Sequence, residues 1–214
     1  MTIYFITGTD TDCGKTFVTC KFLTYFKQHK RSVLAIKPVV SGAIEDKGVI
    51  YWQDLTDLEI HNPPFDKEIN CFKLKAAMSP HLAAKRENKA ISVTSLINFC
   101  KRKELARFEH LLIEGAGGLL VPLNHQETWL DFLKQSHFEV IIVVGIRLGC
   151  INHALLTESV LKEAGIQIKG WVANCLEPKM LSIDENIETL INKMDSPLLS
   201  VVNYQAEQID LAHF

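Results

Sequence analysis

The chain has 214 residues, 47% hydrophobic and 22% charged, which suits one domain over 1–214 with one sizeable core. A formal charge of −2 excludes a broad electrostatic grip on nucleic acid or an anionic membrane. No apolar stretch approaches the ~20 residues of a membrane span, MTIYFITG lacks the features of a secretory signal, and the six cysteines form no C-x-x-C pair, so a reducing cytoplasm is the expected location.

The first predicted strand, 2–7, leads into GTDTDCGKT at 8–16 and then a helix near 14–30 with Phe22 and Phe26 at i, i+4 spacing. A strand, a tight loop and a helix N-terminus are what a phosphate cradle requires. Gly14-Lys15-Thr16 has the right residue types: Lys15 can reach β/γ-phosphates and the Thr16 hydroxyl can ligate magnesium. The spacing is one residue longer than in G-x-x-x-x-G-K-[ST], since Thr9 stands where that loop has glycine and Gly8 comes one residue early. The longer loop is expected to bring Thr9, Asp10, Thr11 and Asp12 round the reacting phosphate. Two acids beside a polyanion repel it unless they face a cation, either magnesium or a substrate amine.

A second strand, 33–37, ends at Lys37 in AIKPVVSG, at the edge where ligands are expected. The segment 43–90, with its Asn62-Pro63-Pro64 breaker, reads as an excursion carrying one or two short helices, and either Asp54 or Asp57 could complete a metal shell. A helix near 93–107 is followed by a strand at 110–114, where HLLIEGAGG has the Walker-B arrangement: Glu114 at a strand tip to hold magnesium, then Gly115, Gly117 and Gly118 for close backbone approach. His125-Gln126-Glu127 has H-x-E spacing without a partner P-C-x-x-C and is assigned to a surface turn. Helices near 128–136, 153–164 and 182–194 alternate with strands at 139–144, 168–173 and 198–202. LGCINHALLT at 148–157 opens a helix, either by ordinary capping or as a second anion site. Largely apolar strands such as VIIVV belong to a sheet covered on both faces. The fold class is therefore α/β: one doubly wound, mostly parallel sheet with helices on both faces and ligands outside the carboxyl ends of the strands.

TGTDTDCGKT, KPVVSG, MSPHLAA, EGAGG followed by VPL, LGCINHALLT and GWVAN, in this order, closely resemble the dethiobiotin synthetase family of the P-loop NTPase superfamily. The six-residue gap between Gly8 and Lys15 is that family's own form of the loop. The resemblance implies conversion of 7,8-diaminononanoate, CO₂ (or bicarbonate) and ATP, or another nucleoside triphosphate, to dethiobiotin, ADP and phosphate. It assigns catalytic roles to Lys15, Lys37 and Thr11, and magnesium to Thr16, Asp54 and Glu114, which selects Asp54 over Asp57. Its nucleotide site comprises Asp12, Cys13, Gly14, Lys15, Thr16 and Phe17 with Asp54, Glu114, Gly115, Ala116, Gly117, Asn174 and Cys175. Thr11, Asp12 and Ser41 fall near the diamine, so the loop acids would face its amines; Asp12 stands where many relatives carry glutamate, which shortens its reach. The resemblance also implies a homodimer, the substrate carboxylate held by the partner's helix entrance at Gly149, Cys150 and Asn152. No nucleic-acid or membrane partner is implied.

Two rivals are weaker. MinD/ParA-type regulatory ATPases carry a lysine at the start of the loop, where this chain has Asp10, and often a basic membrane helix, whereas 182–194 contains Asp184, Glu185 and Glu188. Amide ligases acting on cobalamin precursors usually add a glutaminase domain, for which 214 residues leave no room. The base-lining stretch departs from its family. Relatives usually read like I-P-x-x-A-E, while residues 202–207 place Asn203 at the proline position, and the sequence ends at Phe214 without the helix that usually follows. An open, poorly ordered purine pocket is the resulting expectation, with ATP and GTP differing by less than about 1.4 kcal/mol.

Overall fold

A computed structural model describes residues 1–178 and 180–211; Phe214 lies outside them. In chain order it contains β1 (Thr2–Gly8), α1 (Lys15–Gln28), β2 (Val33–Ile36), β3 (Val39–Ser41), a hairpin of β4 (Ile44–Asp46) and β5 (Val49–Tyr51), α2 (Gln53–His61), β6 (Phe72–Leu74) and α3 (Pro80–Arg86). Then come α4 (Val93–Cys100), a 3-10 turn (Lys103–Arg107), β7 (His110–Gly118), α5 (Trp129–Ser136), β8 (Glu139–Ile146), α6 (Cys150–Glu163), β9 (Ile168–Cys175), α7 (Ile183–Lys193) and β10 (Leu198–Val202).

The main sheet has the order β10-β9-β8-β1-β7-β2, with every pairing parallel. From β1 the chain passes to the β2 edge, returns through β7 and crosses to β8. The order thus reverses around β1, whose carboxyl end carries the phosphate loop, and such reversal points are where open α/β sheets bind ligands. Both faces are covered, as the apolar strands require. Phe5 of β1 meets Trp129 and Phe132 of α5 at ring-centroid distances of 5.2 and 5.5 Å, and all three are fully buried. Burying side chains of this size stabilises the fold by roughly 1.5–3 kcal/mol each.

The excursion holds two short helices, α2 and α3, together with two features that three-residue strands do not announce in sequence: the β4–β5 hairpin, and β6, which pairs with β3 just ahead of the excursion. The helix expected near 93–107 stops at Cys100, with Lys101 as its C-cap, and the chain re-forms as a 3-10 turn that buries Leu105. α6 starts three residues before the expected position because Gly149, at φ +90, supplies a left-handed N-cap. Asn62 closes the outer edge of β2: its Oδ1 accepts from Ala35 N (2.8 Å) and its Nδ2 donates to Ala35 O (2.9 Å). That contact substitutes for a missing neighbour strand and fixes the strand two residues before Lys37.

At the opposite end of the sheet His110 stacks on Phe26 at 4.3 Å, and both ring nitrogens lack hydrogen-bond partners among the described residues. Burial and the Arg31 guanidinium lower its pKa below the ordinary histidine value, while Glu109 opposes and the N-terminal ammonium adds to the lowering. The folded form thus prefers neutral His110. Its contribution is complete above the unfolded pKa near 6.5 and is lost as pH falls through the lower folded value. Thermal unfolding temperature should therefore drop more steeply between pH 7.5 and 5 for the wild type than for His110→Phe, which keeps the stack without a proton site. Parallel curves would show that His110 contributes no acid sensitivity.

Candidate active site

The carboxyl ends of β1, β2 and β7 converge on a cavity of about 570 Å³. Its floor is the phosphate loop. Gly14 sits at φ +87 as the N-cap of α1, and a Cβ there would fall on the Asn174 side-chain amide, so only glycine lets the loop close at the helix entrance. Thr11, Asp12, Gly14, Lys15 and Thr16 line the cavity. Thr9 and Asp10 do not, contrary to the expectation for a longer loop. Thr9 N donates to Val143 O of β8 (3.0 Å), and Asp10 turns outward to pair with the Arg147 guanidinium. One loop acid therefore faces a cation of its own chain, and Asp12 alone faces the cavity. Lys15 curls over the loop, its Nζ donating to Asp10 O (3.0 Å), where it can meet phosphate oxygens.

The opposite wall brings together the groups singled out for metal and charge. Lys37 is held by its backbone, Lys37 N donating to Ile69 O (2.9 Å) and Asn70 Nδ2 to Lys37 O (2.6 Å). Its Nζ bonds both Asp54 Oδ2 and Glu114 Oε1, the latter at 2.6 Å. Thr16 Oγ1 donates to the same Glu114 oxygen at 2.6 Å. Burial works against the charge on Lys37, but the Glu114 and Asp54 carboxylates outweigh it and hold the ammonium above its ordinary pKa. For Asp54, burial raises the pKa, and the Lys37 ammonium, by its charge and its hydrogen bond, more than reverses this, so the carboxyl sits below the usual range. Asp54 lies in the first turn of α2; Asp57, one turn on, binds the Gln53 amide and stays outside the cavity.

Both lysines are buried, Lys15 being 7% and Lys37 3% exposed. Glu114 was expected at a strand tip, but β7 continues to Gly118 and Glu114 is wholly buried within it. Its Oε2 has no partner among the described residues. Thr16, Asp54 and Glu114 offer only oxygen donors, and a buried carboxylate oxygen without a partner suits a small hard dication. Gly115 serves packing rather than ligand approach, since a Cβ there would meet the Phe5 ring at 2.8 Å. Ala116 and Gly117 do line the cavity, steadied by the Trp129 indole, which donates to Ala116 O at 3.0 Å.

Other candidates lie elsewhere. Cys13 is fully buried behind the loop and Phe17 packs under Lys21, 4.7 Å from its ammonium. Asn174 Nδ2 donates to Cys13 O (2.9 Å), tying β9 to the loop, and Cys175 is buried beside it. The stretch after β10 is largely exposed and meets the body of the domain through Lys21 Nζ, which donates to Glu207 O (3.1 Å), and through the buried Ile209. Gly149 and Asn152 are exposed at the start of α6, but Cys150 buries its thiol and its N–H donates to Arg147 O (2.9 Å). The first-turn N–H groups that helix geometry leaves open there are those of Ile151 and Asn152. Ser41 lines the cavity, together with Gln53, Met78, Ser79 and Pro80, to which sequence reasoning gave no role. Met78, Ser79 and Pro80 belong to MSPHLAA, where Ser79 is the N-cap of α3 and Pro80 its first residue. His125 lies in a surface turn, as expected, with Gln126 N and Glu127 N both donating to Asn124 Oδ1.

No helix among the described residues is long and apolar enough to cross a membrane. An AAA-domain family matches residues 2–210. The ATP-dependent dethiobiotin synthetase of Legionella pneumophila (strain Corby) is 46% identical over 208 residues, 97% of this chain and 96% of that one. The enzyme of the same name from Cellvibrio japonicus is 40% identical over 93% of this chain and 88% of its own. Among solved structures, the septum site-determining protein MinD with Mg-ADP from Pyrococcus horikoshii matches with TM-score 0.57 and 21% identity, over 94% of this chain and 81% of that one. Chloroplast FtsY from Physcomitrella patens matches with TM-score 0.59 and 15% identity, over 99% and 61%. Those two likenesses are of fold alone. The conjunction of this phosphate loop, its facing lysine and carboxylates, and identity of up to 46% along nearly the whole length places the chain in the ATP-dependent dethiobiotin synthetase family.

Proposed function

We propose that the protein closes a ureido ring at the expense of ATP, converting 7,8-diaminononanoate, CO₂ and ATP to dethiobiotin, ADP and phosphate. The observation that carries this reading is a single cavity in which Lys15 and Thr16 of the phosphate loop face Lys37 and Asp54, with Asp12 and Ser41 on the same wall system. One amine of the diamine attacks CO₂ and loses a proton, giving a carbamate. A carbamate oxygen then attacks the γ-phosphorus, and the bond to ADP breaks. The second amine attacks the carbonyl carbon, phosphate leaves, and the ring is closed. In this reading Asp12, Thr11 and Ser41, which line the cavity, bind the amines. Lys15 and Lys37 stabilise charge on the transferred phosphoryl group and the carbamate, each contributing roughly 10²–10³-fold if it acts like other preorganised donors. Magnesium held by Thr16, Asp54 and Glu114 would offset charge on the phosphate oxygens. Phosphate release should require both the diamine and bicarbonate. Hydrolysis indifferent to both would favour a regulatory ATPase instead.

Because Asp54 joins Lys37 and Glu114 while Asp57 does not, Asp54→Asn should raise the magnesium requirement sharply and Asp57→Asn should barely change it. Equal magnesium titrations for wild type and Asp54→Asn would sink the assignment. For the base, the orientation of Asn174 argues against the expectation of near-equal nucleotides. With Nδ2 committed to Cys13 O, Asn174 offers an acceptor, which suits the exocyclic amine of adenine and opposes the oxygen of guanine. ATP should bind at least about tenfold tighter than GTP, ~1.4 kcal/mol; equal dissociation constants would restore the opposite view.

A homodimer in the cytoplasm goes with this reading. Asn152 and Leu156 share one face of α6 at i, i+4 spacing, with Leu156 57% exposed, and Leu148, two residues before the helix, is 97% exposed. A second copy would cover those leucines and bring its open helix entrance to the diamine carboxylate, where about half a positive charge awaits it.

A further inference from the structure

Lys37 occupies a position that its catalytic role does not explain. Its Nζ sits between Asp54 and Glu114, on the oxygen that also accepts from Thr16. Those three residues are the oxygen donors of the metal site in the reading above. Lys37 therefore stands where a dication would stand. The two cations cannot share that place, because like charges a few ångströms apart repel strongly in a buried setting.

We propose that Lys37 alternates with the divalent ion. Its ammonium holds Asp54 and Glu114 at ligating distance until the ion arrives, and the ion then displaces it into the cavity, toward the reacting oxygens. The parts are built for such an exchange. Glu114 is fixed inside β7 and wholly buried, with Oε2 free to take a ligand. Asp54 has a side chain 42% exposed on a helix turn and can follow either cation. Lys37 itself borders the cavity, so its four-carbon stem can swing out without unfolding the strand end that carries it. The ammonium thus reaches the phosphoryl group only when the metal is loaded, and ATP without metal meets a lysine still tied to carboxylates.

This inference rests on the metal site proposed above, and its test separates the two. Full-length protein is titrated with Mn²⁺ alone, without nucleotide, and free Mn²⁺ is followed by electron paramagnetic resonance. Lys37→Met removes the competing charge and should bind Mn²⁺ at least about tenfold tighter than wild type, whereas Lys37→Arg, whose fork bridges both carboxylates and stays charged, should bind more weakly. Melting temperature should rise on Mn²⁺ addition more in Lys37→Met than in the wild type. An affinity in Lys37→Met equal to or below that of the wild type overturns the exchange. Should that variant be too unstable to titrate, Lys37→Arg decides alone, and an affinity equal to or above wild type overturns it. Asp54→Asn, titrated with Mn²⁺ and ATP together, tests the site itself: unchanged binding there removes the metal site, and with it the exchange.

Discussion

Lys37→Ala is expected to lower turnover by roughly 10²-fold or more, and also to cost about 3–5 kcal/mol of stability. The first effect follows from its place beside the phosphate loop. The second follows from burial: Lys37 ends its strand at the ligand edge, but the ammonium is buried against Glu114, which has no exposure at all. Removing one partner of a buried pair strands the other charge in a low dielectric, and that penalty exceeds the worth of the pair itself. Lys15→Ala provides the contrast. Its Nζ meets a backbone carbonyl and a thiol rather than a carboxylate, so no charge is stranded. A comparable loss of turnover with little loss of stability is expected there. Phosphate release and urea unfolding of both variants check the pair. If Lys37→Ala unfolds at the wild-type urea midpoint, Glu114 does not carry an uncompensated charge.

What the sequence disclosed follows from locality. β1, the loop and α1 are contiguous, so residue types and spacing specify them, and Lys15, Thr16 and Gly14 lie where they were expected. Lys37 and Glu114 were visible as polar residues ending apolar runs. Spacing alone left Asp54 and Asp57 open, and only the family resemblance selected Asp54; in the structure the direction of α2 separates them. The ion pair of Asp10 with Arg147 joins positions 137 apart, and no local pattern encodes such a contact. It nevertheless changes the site, since only one of the two loop acids remains to face the cavity. The hairpin β4–β5 escaped for another reason: strands of three residues are too short for a period to register. Gly115 shows the limit of reading glycines as ligand contacts, since the reason for it is the Phe5 ring on a neighbouring strand.

The proposed shared site makes the second large effect a matter of subunit mixing. Asn152→Ala alone should weaken diamine binding more than ATP binding, because Asn152 stands exposed at the start of α6 and does not line the cavity of its own chain. If each site takes Lys15 from one subunit and the helix entrance from its partner, the two lesions can be sorted into separate sites. A mixed dimer of Lys15→Ala and Asn152→Ala subunits then holds one site with both defects and one with neither. Random pairing of equal amounts makes half the dimers mixed, so recovery of about a quarter of wild-type turnover is expected at diamine concentrations where each parent is nearly inactive. The recovered activity should show wild-type affinity for the diamine, since the intact site is complete. Unfolding and refolding the two variants together, against each refolded alone, provides the measurement. Turnover of the mixture equal to the mean of the parents at every ratio would place the carboxylate within a single subunit. The open N–H groups of Ile151 and Asn152, and the exposed Leu148 beside them, would then need a different explanation.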